Sequence, residues 1–203
     1  MKRTVTAYLI RHGLTNGNLE KRYIGCRSDE PLCDEGRQLL IESAPVFTVL
    51  ASSCTRLFTS PMKRSIETAG ILFPTLCPEI VSGLSETDFG DFEGLNYSEL
   101  NGRSDYQAWL DSCGTIPFPN GESRESFIER SFFAFRGIID SCSGNCVIVC
   151  HGGSIMAIMS SLTGKDYFDF QVGSGEGFRI TLSVSGEEYN VLSYDRICGR
   201  NTA

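Results

Sequence analysis

At 203 residues the chain is long enough to bury the core of one domain. It is 41% apolar and 21% charged with no biased tract, the composition of an ordinary globular protein. Its net charge of −7 argues against non-specific binding to nucleic acid or a membrane, although a local cluster of arginines could still form an anion pocket.

The first strand-like run is Val5–Ile10, leading into Arg11-His12-Gly13. Met1-Lys2-Arg3 is basic, but Arg11 interrupts the apolar stretch well short of a signal core, so no secretory signal is expected. Asp34–Ala44 has a helical pattern that Pro45 should kink or end. A strand over Arg56–Thr59 precedes Ser60-Pro61, which reads as a helix start with Ser60 as N-cap and Pro61 at the first helical position. Met62, Ile66, Ala69, Leu72 and Phe73 follow at near-helical spacing. Glu79–Ser82 is strand-like. The stretch 87–145 is long for one crossover and rich in Gly, Pro and aromatics. Near its end Ser123 should cap a helix with the apolar stripe Ile128, Phe132, Phe135, Ile139 and Cys142. Cys146–Cys150 is a strand running into His151-Gly152-Gly153, and Ile155–Leu162 reads as a buried helix. Strand-like runs at Phe178–Val184 and Tyr189–Tyr194 complete the series.

Strands alternating with helices predict an α/β domain over 1–203, with a mainly parallel central sheet and helices on both faces. Residues 87–145 are expected to form a lid-like insertion over the carboxyl ends of the strands, where sites form in such sheets. No run approaches the roughly 20 apolar residues of a membrane span. The nine scattered cysteines read as reduced thiols of a cytoplasmic protein. Cys142 and Cys146 have a spacing that could suggest metal, but no second correctly spaced pair accompanies them. Cys146 and Cys150, four apart in a strand, should face the same side as small core residues.

The two histidines are the only ones in the chain, and each follows a strand and precedes glycine. Two imidazoles so placed suggest one site, since imidazole serves as nucleophile, base or cation near neutral pH. Arg11 adds a planar fork of donors suited to phosphate oxygens, and Gly13 would let backbone N–H groups approach an anion. Arg64 falls in the first turn of the helix after Ser60-Pro61, where the amino end favours anions. The segment from Leu84 to Gly94 holds four carboxylates among aromatics and glycines. One of them, shielded, could hold a raised pKa and act as general acid, but the residues alone do not choose among Glu86, Asp88, Asp91 and Glu93.

Taken in order, these four segments resemble the histidine phosphatase superfamily, also called phosphoglycerate-mutase-like, from Ala7 to about Leu162. Asn18, Arg22-Tyr23-Ile24-Gly25, Pro31-Leu32 with Gly36 and Gln38, and Asn120-Gly121-Glu122-Ser123 add matching pieces. The resemblance implies that His12 is the phosphoryl-accepting nucleophile. It implies that Arg11, Arg64 and a protonated His151 bind the phosphoryl oxygens with help from Asn18 and Gly152, and that Glu86 is the proton donor. Leu14 stands where many members carry Glu or Gln, and Cys33 where Thr is frequent. No cofactor or metal is expected, because the carboxylates share one loop and no histidine is spare.

The implied function is phosphomonoester hydrolysis on a small phosphorylated metabolite, closest in pattern to alpha-ribazole phosphatases of cobalamin synthesis. A broad-specificity phosphatase, a cofactor-dependent phosphoglycerate mutase and a non-catalytic phosphate-binding protein are the alternatives. The sequence is compatible with a homo-oligomer.

Overall fold

The apolar runs of a computed structural model, which describes residues 2–199, assemble into one six-stranded sheet. Met1 and residues 200–203, the ends of the expected 1–203 domain, lie outside the described residues. The strands are β1 (Arg3–Arg11), β2 (Arg56–Thr59), β3 (Pro78–Ile80), β4 (Cys146–Cys150), β5 (Gly177–Ser185) and β6 (Glu188–Ile197), in the order β3-β2-β4-β1-β5-β6. β1 to β4 run parallel, and β5 and β6 add an antiparallel edge. The helices are α1 (Asn16–Leu19), α2 (Asp34–Leu50), α3 (Lys63–Leu72), α4 (Tyr97–Leu100), α5 (Ser104–Asp111), α6 (Arg124–Ser141) and α7 (Gly152–Thr163).

A sheet covered on both faces needs near-continuous apolar strands, and every residue of β4 is buried. Alternation then sorts the side chains. Cys146, Ile148 and Cys150 join Ala7 and Leu9 in one core, with Phe135 and Ile139 of α6 and Ile155 and Ile158 of α7. Val147 and Val149 join Tyr8 and Ile10 in the other, with Leu40 and Phe47 of α2 and Ala69 and Leu72 of α3. Each fully buried Leu, Ile or Phe contributes roughly 1.5–3 kcal/mol. Cys146 and Cys150 thus share one face as core residues. None of the helices among the described residues is long and apolar enough to cross a membrane.

Several expectations shift. α2 passes through Pro45 and ends at Leu50. Pro45 and Ile41 both lie on the exposed face, where water can satisfy the carbonyl the proline leaves free, and buried Phe47 holds the last turns to the core. α3 starts at Lys63 rather than Pro61, and its N-cap residue Met62 makes no side-chain cap bond. The core-facing stripe of α6 is Phe127, Ser131, Phe135, Ile138 and Ile139, so Ile128 and Phe132 fall half-buried on its flank. β3 is short, and Ser82 opens a 3-10 turn instead of ending a strand. α6 is an ordinary crossover helix on the sheet. Of residues 87–145, the stretch 87–123 stands apart from α6, and there Phe92, Leu100 and Tyr106 gather a separate cluster with Tyr23, Phe89, Trp109 and Phe118.

Candidate active site

Parallel pairing brings the two histidines together. Arg11 at the end of β1 lies opposite Cys150 at the end of β4, so the next residues, His12 and His151, leave the sheet side by side. His12 N–H donates to Cys150 O (3.0 Å), and the two ring centroids are 5.1 Å apart. Both residues are buried.

The hydrogen bonds fix the His12 tautomer. Nδ1 lies 2.7 Å from Gly13 O, which can only accept, so a neutral ring carries its hydrogen there and keeps the Nε2 lone pair free. Burial, reinforced by Arg64 and Arg11, holds His12 well below its ordinary 6.5, although the Gly13 bond acts in the opposite sense. His12 is therefore a neutral base near pH 7.

Its surroundings push the pKa of His151 well below the ordinary 6.5 as well. Burial comes first among the causes, and the guanidiniums of Arg64 and Arg11, like any proton taken up by His12, oppose a charge on the ring. Its Nε2 lies 2.7 Å from Ser60 Oγ. Ser60 Oγ already accepts Met62 N–H (3.4 Å), so its own hydrogen is available to Nε2. With the Ser60 hydroxyl donating to Nε2, the ring hydrogen would sit on Nδ1, a buried atom with no partner among the described residues. Ser60, read from sequence as a helix cap, instead orients an imidazole.

Arg64, on the first turn of α3, is fully buried. Its Nη1 donates to Ser28 O (2.8 Å) and its Nη2 to Gly25 O (3.0 Å), which gives the Arg22–Gly25 stretch a role as its cradle. Arg11 Nη1 donates to Val172 O (2.8 Å). The Nε atoms of both arginines are buried and unpaired among the described residues. Two guanidiniums with spare donors, beside an unpartnered imidazole nitrogen, have the chemistry to hold an anion. Gly13 does not serve it as expected, because its N–H donates to Thr68 Oγ1 (3.0 Å). Its lack of a side chain answers to packing, since a Cβ would come 2.6 Å from Leu40.

Of the four loop carboxylates, the structure brings Glu86 to the histidines. Glu86 is 9% exposed, and its Oε2 accepts Gly153 N–H (3.4 Å) from the start of α7. Its Oε1 accepts Thr87 N–H (2.9 Å). Burial raises its pKa against the opposing pull of the Thr87 bond, Arg64 and Arg11, as a general acid needs. Asp88 pairs with Arg27 (2.7 Å), Asp91 accepts from Asn120 (2.8 Å), and Glu93 accepts Gly25 N–H (2.9 Å).

Asn18 closes a capping box on α1, with Thr15 N–H on its Oδ1 (3.3 Å), so only its amide donors remain for a ligand. Gly152 opens α7 against Arg11, whose guanidinium would lie 3.5–3.6 Å from a Cβ there. Cys33 does the work of the usual Thr, its Sγ accepting Gly36 N–H (3.3 Å) at the start of α2. Among the described residues no group of three or more His, Cys, Asp or Glu side chains could hold a metal ion.

Beside Glu86 and Arg11 opens a cavity of about 420 Å³. Tyr23, Phe89, Trp109 and Phe118 line one side, and Phe127, Tyr167 and Phe168 the other. Arg11 and Arg124 are the cations in its wall. Arg124 donates to Gly114 O (3.2 Å) and lies 5.5 Å over the Phe168 ring, joining the two walls.

A buried histidine, a buried and a half-buried arginine and a shielded carboxyl have the chemistry to carry phosphoryl transfer through a covalent intermediate. Residues 7–191 match the model of the histidine phosphatase superfamily (branch 1). A protein of Hydrogenobacter thermophilus, provisionally named phosphoserine phosphatase 2, is 32% identical over 196 residues, covering 94% of this chain and 95% of its own. A 2,3-bisphosphoglycerate-dependent phosphoglycerate mutase of Cytophaga hutchinsonii is 30% identical, covering 76% of this chain and 75% of its own. The crystal structure of the alpha-ribazole phosphatase of Shigella flexneri superposes with a TM-score of 0.75 at 23% identity, over 92% of this chain and 94% of that one, a likeness of fold alone. With the motifs assembled in one site and the family model spanning most of its length, this chain belongs to the histidine phosphatase superfamily.

Proposed function

We propose that this chain is a phosphomonoester hydrolase that works through a phosphohistidine on His12. The observation that carries the reading is the His12 tautomer: a neutral ring with Nδ1–H tied to Gly13 O and Nε2 free, beside Arg11 and Arg64. Nε2 attacks phosphorus as the P–O bond to the alcohol breaks, and Glu86 protonates the departing oxygen. Glu86 then takes a proton from water, which attacks the phosphohistidine and releases phosphate and free His12. Arg11, Arg64 and His151 Nδ1–H stabilise the equatorial oxygens, the dominant contribution in phosphoryl transfer. A bound dianion would also favour protonation of His151. No metal takes part in this scheme, and residues 87–123 would serve as the lid of a single domain.

On substrate, we infer a broad, largely aromatic alcohol, with alpha-ribazole-5′-phosphate as the leading candidate. The aromatic cavity beside Glu86 supports this, and its few cations weigh against a phosphoglycerate mutase. Phosphoserine is the second reading, favoured by the 32% identity to the Hydrogenobacter protein.

Rapid quenching with a labelled substrate tests the mechanism. Wild type should yield an acid-labile phosphoenzyme that is absent in His12→Ala, with turnover down on the order of 10⁴-fold or more. Activity should survive EDTA. Full activity in His12→Ala, or its loss under EDTA, overturns the scheme. A phosphate-release panel of alpha-ribazole phosphate, phosphoserine, 3-phosphoglycerate, sugar phosphates and nucleotides then ranks the substrates by kcat/KM.

A further inference from the structure

Glu86 lies in an irregular segment, yet its backbone is held as firmly as a strand. Four consecutive carbonyls, Gly83 to Glu86, each accept from a helix side chain. Arg130 of α6 donates from Nη1 to Gly83 O (2.9 Å) and Ser85 O (3.0 Å), and its Nη2 reaches Glu86 O at 3.5 Å. Ser154 of α7 donates to Leu84 O (3.3 Å). The same guanidinium is pinned from behind by Glu122, with Nε on Oε1 (3.0 Å) and Nη2 on Oε2 (2.8 Å). Glu122 also grips the chain beyond Glu86, since its Oε2 accepts Asp88 N–H (3.4 Å) and its own N–H donates to Asp88 O (2.9 Å). α6 passes directly beneath this segment, and a Cβ on Gly83 would come 2.7 Å from Ala134 Cβ.

We propose that Arg130, fixed by Glu122, is a positioning residue that sets where the Glu86 carboxyl stands relative to His12. One planar fork spans three of the four carbonyls, so its loss would free Glu86 as a unit. The Asn120-Gly121-Glu122-Ser123 motif, otherwise without a part in the chemistry, thereby supplies the anchor. The proposal rests on Glu86 being the proton donor.

Its test compares two esters in Arg130→Met, Arg130→Lys, Glu122→Gln and Glu86→Gln. p-Nitrophenyl phosphate needs no proton on its leaving group, whereas an alkyl phosphate does. If Arg130 positions Glu86, Arg130→Met should lose about 30- to 100-fold in kcat on the alkyl ester. Its first-turnover burst of nitrophenolate should stay within about threefold of wild type, because that step needs no acid. Arg130→Lys should be as poor as Arg130→Met, since an ammonium cannot span the fork. Adding Arg130→Met to Glu86→Gln should cost less than about twofold more, as expected for residues acting as one unit. Glu122→Gln keeps the arginine and should show the same ester pattern more weakly, which preserves the test if Arg130→Met does not fold. Equal losses on both esters, rescue by lysine or additive losses overturn the proposal. If Glu86→Gln itself fails to separate the esters, the proton-donor reading falls and takes this one with it. If Glu86→Gln separates them and the Arg130 and Glu122 variants do not, only the positioning role falls.

Discussion

Burial, with Arg64 and Arg11 acting in the same direction, pushes the pKa values of both His12 and His151 well below the ordinary 6.5. This has a consequence for stability. Their folded pKa values lie below the ordinary 6.5, so between that value and the folded one the unfolded chain binds more protons. Stability is full above about 6.5 and is lost as pH falls from there. Glu86 has the opposite sign: its folded pKa is raised above 4.5, so its contribution is present at low pH and lost as pH rises through the raised value. Since the chain has no other histidine, the contrast can be measured directly. Tm should fall from pH 7 to pH 5.5 in wild type and fall more steeply in Glu86→Gln, while His151→Asn should flatten the loss. A Tm independent of pH in all three would contradict the neutral-imidazole reading. Both histidines were legible in the sequence because each directly follows a strand. Ser60 and Arg130 were not, because their partners lie 91 and 44–47 residues away and only the fold brings them near.

At the scale of elements, what periodicity showed was the existence of each strand and helix; what it missed was where helices end and which stripe they bury. Pro45 is the plainest case. Local rules stop α2 there, whereas buried Phe47, two residues on, carries the helix to Leu50. The proline therefore sits in a helix interior at a real cost, about 3 kcal/mol by intrinsic propensity, offset by up to about 1 kcal/mol from a stiffer unfolded chain. Pro45→Ala should stabilise by about 2–3 kcal/mol, or roughly 4–12 °C in Tm for a chain of this size, with kcat/KM unchanged. A lower Tm would mean that the packing of Phe47 needs the proline. The α6 stripe shifted only at its start: Phe135, Ile139 and Cys142 are buried, whereas Ile128 and Phe132 are half-buried, because neighbouring helical stripes differ by a single 100° step and both carry apolar residues.

For the molecule as a whole, the parallel half of the sheet brings His12 and His151 together, and residues 87–123 with α7 and Tyr167–Phe168 shape the cavity beside them. The first was readable from strand ends; the second depends on an aromatic cluster assembled from Tyr23 and residues 66 to 95 positions later, which no local pattern announces. That cluster holds the chain's single tryptophan, Trp109, stacked on Phe118 with centroids 4.9 Å apart and lining the cavity with its buried Nε1 unpaired among the described residues. The protein thus carries a built-in optical probe in the wall of its aromatic cavity, where the proposed substrate's alcohol would lie. An aromatic alcohol should quench or shift the intrinsic emission, whereas inorganic phosphate alone should raise Tm and leave the spectrum unchanged. The two halves of a substrate could then be titrated separately, without a label.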